Sequence, residues 1–539
     1  MKVNPPSRAN LLIFAFSITT IVAPLALAQQ AEPQTEMSCL KEPIQVTGGL
    51  VTGTPTIQWV PGVRLFRGIP YAAPPVGDLR WRPPQPVVPW KGVKAADHFS
   101  PACMQPPTET TGSSAWHEGL VPISEDCLYV DVWTSAKSTN DRLPVMVYIY
   151  GGGNIRGAGS ENQYDGEYLA KKGVVFVGFN YRLGVFGFMA HPELTSESEH
   201  HSSGNYAILD QIAALKWIQD NIARFGGDPN RVMIFGQSAG ASNVSSLMAS
   251  PLAKGLFQRA IAQSGNNLSN KTSLKDAEQI GMRFGEQLGA TSVAALRRRS
   301  GDEILNAAHG RWGTNIDGWV FPKDVSSIFA EGEQNDVPLI VGTVADDVPG
   351  FGAAMKAADA QAYARNTFHD LAGTYLKVYP SSTDAEATKS AIAFRSDNAM
   401  ANARAWLRLQ TKTGKSKAYW YYFTHVSPMP DGLIWAGRPA QAAGAYHGGE
   451  IVYVFNAFPL QDWRWRPIDL RLGDIVSSIW IRFANTGDPN GPGLPNWPAY
   501  NASTDLLMRF GDTLKAEPTP LAEKLNFIDE WKASQRAQP

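Results

Sequence analysis

The sequence predicts an α/β fold built on a large, mostly parallel, twisted sheet flanked by helices. Residues 144–150 (PVMVYIY) and 174–179 (VVFVGF) are unbroken apolar runs, the first stopped by Gly151-Gly152-Gly153. Runs that do not alternate suit strands buried on both faces of a parallel sheet. Over residues 205–225 apolar side chains recur every three or four positions, at Ile208, Ile212, Leu215, Ile218 and Ile222, one stripe of a helix that can pack on such a sheet. A third strand at 231–235 (RVMIF) leads into Gly236-Gln237-Ser238-Ala239-Gly240. Strand, helix, strand in alternation implies right-handed crossovers.

The other segments follow in chain order. Residues 1–10 hold Lys2 and Arg8 and no acid, and an apolar run over 11–27 closes on Ala26-Leu27-Ala28 before Gln29. A basic start and a small-x-small end predict a secretory signal cleaved after Ala28. The run nears the ~20 residues of a membrane span, but Ser17, Thr19, Thr20 and Pro24 dilute it. The expected organisation is a signal over 1–28 and one domain over 29–539, with no anchor in the mature chain and a secreted or periplasmic location. That compartment permits disulfides. Of the 3 cysteines, Cys103 and Cys127 lie close together around a Pro/Gly/Thr-rich stretch and form the expected bridge, leaving Cys39 over. Residues 29–45 read as a polar leader, and the turn-rich stretch 46–110 as a small antiparallel sheet with loops. Runs at 259–262, 338–341 and 419–423 extend the main sheet, and no linker interrupts 144–447.

Composition narrows the function. With 48 basic and 49 acidic residues, the net charge of −1 gives no electrostatic case for nucleic acid or an anionic membrane. There is no Cys-x-x-Cys pair, His200-His201 lacks metal-ligand spacing, and Gly414-Lys415-Ser416 lacks the earlier glycine of a phosphate loop. No metal or cofactor is expected. Asn267, Asn270 and Asn501 head glycosylation sequons, relevant only in a host that glycosylates.

Gly236-Gln237-Ser238-Ala239-Gly240 is a Gly-x-Ser-x-Gly placed after a buried strand and before a small-residue helix start. A turn that sharp needs glycine where a β-carbon would collide, and it lifts the serine oxygen above the sheet edge. Ser238 is therefore the candidate nucleophile. A hydroxyl is weak until a base takes its proton, and the order serine, acid, histidine places that base downstream. Of His309, His369, His425 and His447, the last stands between loop residues in Ala445-Tyr446-His447-Gly448-Gly449. His425 ends an apolar run and reads as structural. Asp346 and Asp347, just beyond the 338–341 strand, both offer a carboxylate to orient the base, and spacing does not choose between them. Ala239 N–H and the amides of the triple glycine are the candidate donors to an oxyanion.

These residues resemble the type-B carboxylesterase/lipase family, the cholinesterase-like α/β-hydrolases, over nearly the whole mature chain. Phe225-Gly226-Gly227-Asp228-Pro229 running to Gly240 matches the family's nucleophile signature, and Ser124-Glu125-Asp126-Cys127-Leu128-Tyr129-Val130 its second. Further similar blocks are FRGIPYAAPPVGDLRW (66–81), FNYRLGVFGF (179–188), HGGEIVYVF (447–455) and FANTGDPNGPGLPNWPAY (483–500). The resemblance implies the α/β-hydrolase fold, with inserted helices and loops around an active-site gorge. It also implies a triad of Ser238, Asp347 and His447, an oxyanion hole of Gly152, Gly153 and Ala239, and a Cys103–Cys127 disulfide. Glu125 with Arg80 resembles the family's salt bridge, and Ser264 a serine near the triad acid. The implied activity is hydrolysis of a small-molecule carboxylic ester through an acyl-enzyme, without a cofactor.

This sequence departs from the pattern at three places. The usual Glu-Gly at the acid is Asp347-Val348, so a shorter side chain requires a closer loop. Gln237 replaces a glutamate beside the nucleophile, which removes a charge that a cationic substrate would use. Asn154 replaces an aromatic after the triple glycine, with Arg156 nearby, and suggests a polar pocket mouth for an oxygen-rich or acidic ester. Hydrolysis of amides, carbamates or lactones would use the same chemistry in another pocket. A non-catalytic, cholinesterase-like binding protein would lack the reactive residues present here.

Overall fold

The computed structural model of the protein describes residues 40–56, 60–107, 122–347, 354–432 and 442–537, with the backbone of 434–435 and 438–439. The expected signal over 1–28 and Cys39 lie outside them. The main sheet contains, in chain order, β1 (Thr54–Pro55), β2 (Arg64–Pro70), β3 (Tyr129–Thr134), β4 (Leu143–Ile149), β5 (Val175–Phe179), β6 (Gly227–Gln237), β7 (Arg259–Gln263), β8 (Leu339–Val344), β9 (Ala418–Phe423), β10 (Leu506–Phe510) and β11 (Leu514–Pro518). Their spatial order is β11-β10-β9-β8-β7-β6-β4-β5-β3-β2-β1. Every neighbouring pair from β10 to β5 is parallel, and antiparallel strands finish both edges. The apolar runs at 144–150 and 174–179 form central strands whose side chains are buried on both faces. Each large apolar side chain so buried contributes about 1.5–3 kcal/mol.

The predicted helix is α1 (Tyr206–Asn221), continued by a 3₁₀ turn at Ile222–Phe225. Its five stripe residues are buried, but so are Asp210 and Gln211 on another side. Asp210 takes both Arg182 Nε and Nη2 at 2.7 Å, a bidentate geometry that offsets the cost of burying the charges. Periodicity thus located the helix, while the loops that cover its second face turned an amphipathic element into a core one.

Chain order fixes where a crevice opens. β5 lies on one side of β4, and β6 with β7 and β8 on the other. The loops leaving the carboxyl ends of β4 and β6 therefore diverge, a topological switch point. Gly151–Gly153 follow β4, and Ser238 follows β6. Helix α2 (Ala239–Ala249) runs back from Ser238 against β6 and β7, and α3 (Asp384–Thr413) covers β8 and β9. Helix α4 (Pro467–Thr486) packs on β4 and β6.

The amino-terminal region differs from the expected antiparallel sheet. Ile44–Val46 and Gly49–Thr52 form an antiparallel hairpin, but Val93–Ala95 pairs parallel to the second strand. A hairpin turn forces opposite directions, whereas a strand that returns through a long connection is free to run either way. The stretch between them supplies β1 and β2 to the main sheet. Cys103 and Cys127 are joined by a disulfide, and closing that loop restricts the unfolded chain by about 3 kcal/mol. Arg80 grips Glu125 beside it, with Nε to Oε2 at 2.6 Å and Nη2 to Oε1 at 2.5 Å. Among the described residues no helix is long and apolar enough to cross a membrane.

Candidate active site

The turn after β6 is enforced by lack of space. A β-carbon on Gly240 would lie 1.9 Å from the Ile149 carbonyl oxygen, and one on Gly236 would lie 2.6 Å from the same atom. Between them Ser238 takes φ 58° and ψ −124°, a left-handed conformation that costs a side-chain-bearing residue about 1–3 kcal/mol. Its N–H donates to Gln263 O at 2.8 Å, which ties the turn to β7. Ser238 immediately precedes α2 and lines a cavity of about 760 Å³.

The candidate base and acid meet at the carboxyl ends of the neighbouring strands. His447 Nδ1 lies 2.5 Å from Asp347 Oδ1, and the Asp347 side chain is wholly buried. Burial disfavours the charged imidazole, but the Asp347 carboxylate, its hydrogen bond and the more distant Glu450 outweigh it and raise the ring above its ordinary pKa. Asp346 does something else. Its Oδ2 accepts from Ala445 N–H at 2.9 Å, and its own N–H donates to Ala445 O at 3.0 Å. Asp346 thereby latches the histidine loop to the end of β8, as a short parallel bridge with Tyr446. This latch holds the loop at the end of β8, with the ring in reach of the Asp347 carboxylate.

The second ring nitrogen, His447 Nε2, lies 3.1 Å from Gln237 Nε2. An amide N–H pointing there makes Nε2 the acceptor and leaves the proton on Nδ1, facing Asp347. Among the described residues no hydrogen bond joins the ring to Ser238 Oγ. His309 and His369 make none to Ser238, Asp346 or Asp347. His425 is buried between Asp469 and Asp512.

Opposite the serine, Gly152 and Gly153 have φ 89° and 67°. Both are positive values that favour glycine. A β-carbon on Gly152 would strike Arg156 O at 2.2 Å, and one on Gly151 would lie 2.7 Å from Gln237 O. Among the described residues the N–H groups of Gly152, Gly153 and Ala239 have no partner within the chain. Asn154 lines the cavity, with its amide held by Asn243 at 2.9 and 3.3 Å. Arg156, expected near the mouth, is not among the described lining residues and packs over Gly152 instead.

Ser264 is buried and lines the cavity, but its Oγ has no hydrogen-bond partner, and neither does Asp347 Oδ2. Sequence reasoning does not single out Glu450, three residues after His447. It is buried behind the pair, accepts from Gln263 Nε2 at 3.2 Å, and is pushed up to about 7, chiefly by burial. The signal was a carboxylate inside an otherwise apolar helix start. Among the described residues no group of three or more His, Cys, Asp or Glu side chains is placed to hold a metal ion.

Comparison with known proteins shows the family and the fold. The model of the carboxylesterase family matches residues 41–528. The chain is 36% identical to the fumonisin B1 esterase of Sphingopyxis macrogoltabida over 83% of each chain. It is 34% identical to the liver carboxylesterase of Sus scrofa, over 88% of this chain and 90% of that one. Among solved structures, a PNB esterase superposes with a TM-score of 0.75 at 31% identity, covering 90% of this chain and 99% of its own. A thermophilic PNB esterase does so with a TM-score of 0.77 over the same shares. The architecture is the α/β-hydrolase fold.

Proposed function

Because the chain belongs to the carboxylesterase family and is a carboxylic ester hydrolase, we propose that Ser238, His447 and Asp347 are its catalytic triad. The observation that carries this reading is the 2.5 Å contact between His447 Nδ1 and Asp347 Oδ1, at the strand ends beside the Ser238 turn. Ser238 Oγ attacks the ester carbonyl while His447 Nε2 takes its proton, and Asp347 holds the tautomer and stabilises the imidazolium. Gly152, Gly153 and Ala239 N–H receive the developing oxyanion, each donor being worth about 2.7–4 kcal/mol of barrier. The tetrahedral intermediate collapses to the acyl-enzyme as His447 protonates the leaving alcohol. The ring then deprotonates a water, which attacks the acyl carbon, and Ser238 Oγ leaves with the proton. In the resting enzyme the ring faces Gln237, so it exchanges that amide for the serine hydroxyl on substrate binding, as catalytic hydrogen bonds often do.

The export reading belongs to the same proposal: residues 1–28 are removed, and the mature chain is secreted or periplasmic. The Cys103–Cys127 disulfide supports it. One experiment tests both parts. Intact mass of the exported protein is expected to fit a chain starting at Gln29, gaining a single adduct from a fluorophosphonate. Ser238→Ala takes up no adduct, and its kcat/KM on short p-nitrophenyl esters falls at least about 10⁴-fold. Retained hydrolysis in that variant removes Ser238 as nucleophile, and a mass that includes residues 1–28 removes the cleavage.

A further inference from the structure

The cavity over Ser238 is unlike the apolar pocket that an ester of simple fatty acids or alcohols would call for. Its described lining carries a single charged side chain, Arg311, and no carboxylate. Arg311 is exposed and makes no ion pair or hydrogen bond among the described residues. By contrast Arg80, Arg182 and Arg404 are each committed to carboxylates. Around Arg311 the wall is rich in amides and hydroxyls. The side-chain oxygen of Asn266 accepts from Leu268 N–H and that of Asn402 from Lys532 Nζ, while neither amide nitrogen donates within the described residues. Ser264 Oγ, buried and without a partner, lines the same space.

These groups share one property: they are donors waiting for an acceptor. A lone guanidinium with amide and hydroxyl donors around it, and no acid among the described residues to neutralise it, is complementary to an anion and repels a cation. On the reading that Ser238 attacks the ester, we infer that the preferred substrates are esters bearing a free carboxylate elsewhere in the molecule, and that Arg311 is the residue that selects them. Arg311 acts on binding and orientation and takes no part in bond making.

The test uses mono-p-nitrophenyl esters of succinic, glutaric and adipic acid, each beside its methyl-capped neutral twin. For at least one chain length the wild-type enzyme is expected to favour the free acid by about tenfold in kcat/KM at low salt, with the preference shrinking as salt rises. Arg311→Gln brings the acid-to-capped ratio close to one, and Arg311→Lys restores part of it, mainly through KM. A wild type with no preference for the acid at any chain length, or a ratio unmoved in Arg311→Gln, overturns the inference while leaving the Ser238 reading intact. Failure of the wild type to hydrolyse either ester of every pair overturns both.

Discussion

Two histidines in this molecule stand against buried aspartates at nearly the same distance, and they do different things. His447 Nδ1 is 2.5 Å from Asp347, and His425 Nε2 is 2.6 Å from Asp469. The difference lies on the other side of each ring. His425 Nδ1 meets a second carboxylate, Asp512, at 2.7 Å, and its side chain is 0% exposed. His447 turns its second nitrogen toward Gln237 and the Ser238 turn and keeps its side chain 28% exposed. A ring clasped by acids on both sides has no nitrogen left to receive a proton from a hydroxyl. His425 instead fastens β9 to α4, because Asp469 also receives Arg466 N–H at the start of that helix at 2.8 Å. A carboxylate partner therefore does not by itself mark a candidate base; the candidate also needs a second nitrogen held only by a neutral amide, which a hydroxyl can replace.

Changing the acid on each side of this comparison should produce unlike losses. Asp347→Asn is expected to lower kcat/KM about 10⁴-fold, because an amide no longer enforces the tautomer or stabilises the imidazolium. Above the raised imidazole pKa, where the pair no longer adds stability, its thermal midpoint should stay near the wild-type value; a loss of activity under tenfold would put the two pairs on an equal footing. His425→Gln should do the reverse, costing about 3 kcal/mol in urea unfolding because Asp469 loses a buried partner. Its kcat/KM per folded molecule should match wild type. A catalytic defect in the folded fraction would mean that the α4 junction reaches the site.

The subtlest contrast is in pH. His447 is raised above 6.5, so the pair stabilises the fold below the ordinary imidazole value and loses that contribution as pH rises through the raised one. Activity runs the opposite way, since only the neutral ring takes a proton. The kcat/KM profile should climb with pH, with a midpoint above 6.5. Burial opposes the charge on Asp469, but hydrogen bonds from Arg466, His425 and Tyr453 prevail and hold it well below the usual carboxylate range. Its stabilisation is present above that range and fades only as strong acid is approached. Stability measured against pH should show the two regimes separately. A single transition would show that the pairs are coupled.

Much of this is legible in the sequence alone. Short apolar runs that do not alternate, rich in β-branched and aromatic residues, suit strands with two covered faces, so β4, β5 and the core of β6 stand out. Gly-x-Ser-x-Gly located the nucleophile because the glycines answer a collision that any sequence with this turn must avoid. The edges were harder. β10 is a short run broken by Arg509 and β11 alternates as a surface strand would, and β2 resembles part of the small sheet because nothing local says which sheet a strand joins. Asp346 and Asp347 were indistinguishable by spacing, since adjacent residues on a strand end point opposite ways and only the position of the 444–447 loop says which one meets the ring. Arg311 carries no local signal, because its solitude is a fact about neighbours brought from elsewhere in the chain.

The latch at Asp346 has a bearing on how such enzymes can be altered. The place of the imidazole against its acid is set jointly by a side chain and by a stretch of main chain. A glutamate at 347 would add a methylene to a buried contact that is already 2.5 Å long while the latch stays in place. The acid and the hinge that presents the imidazole must therefore vary together, by drift or by design.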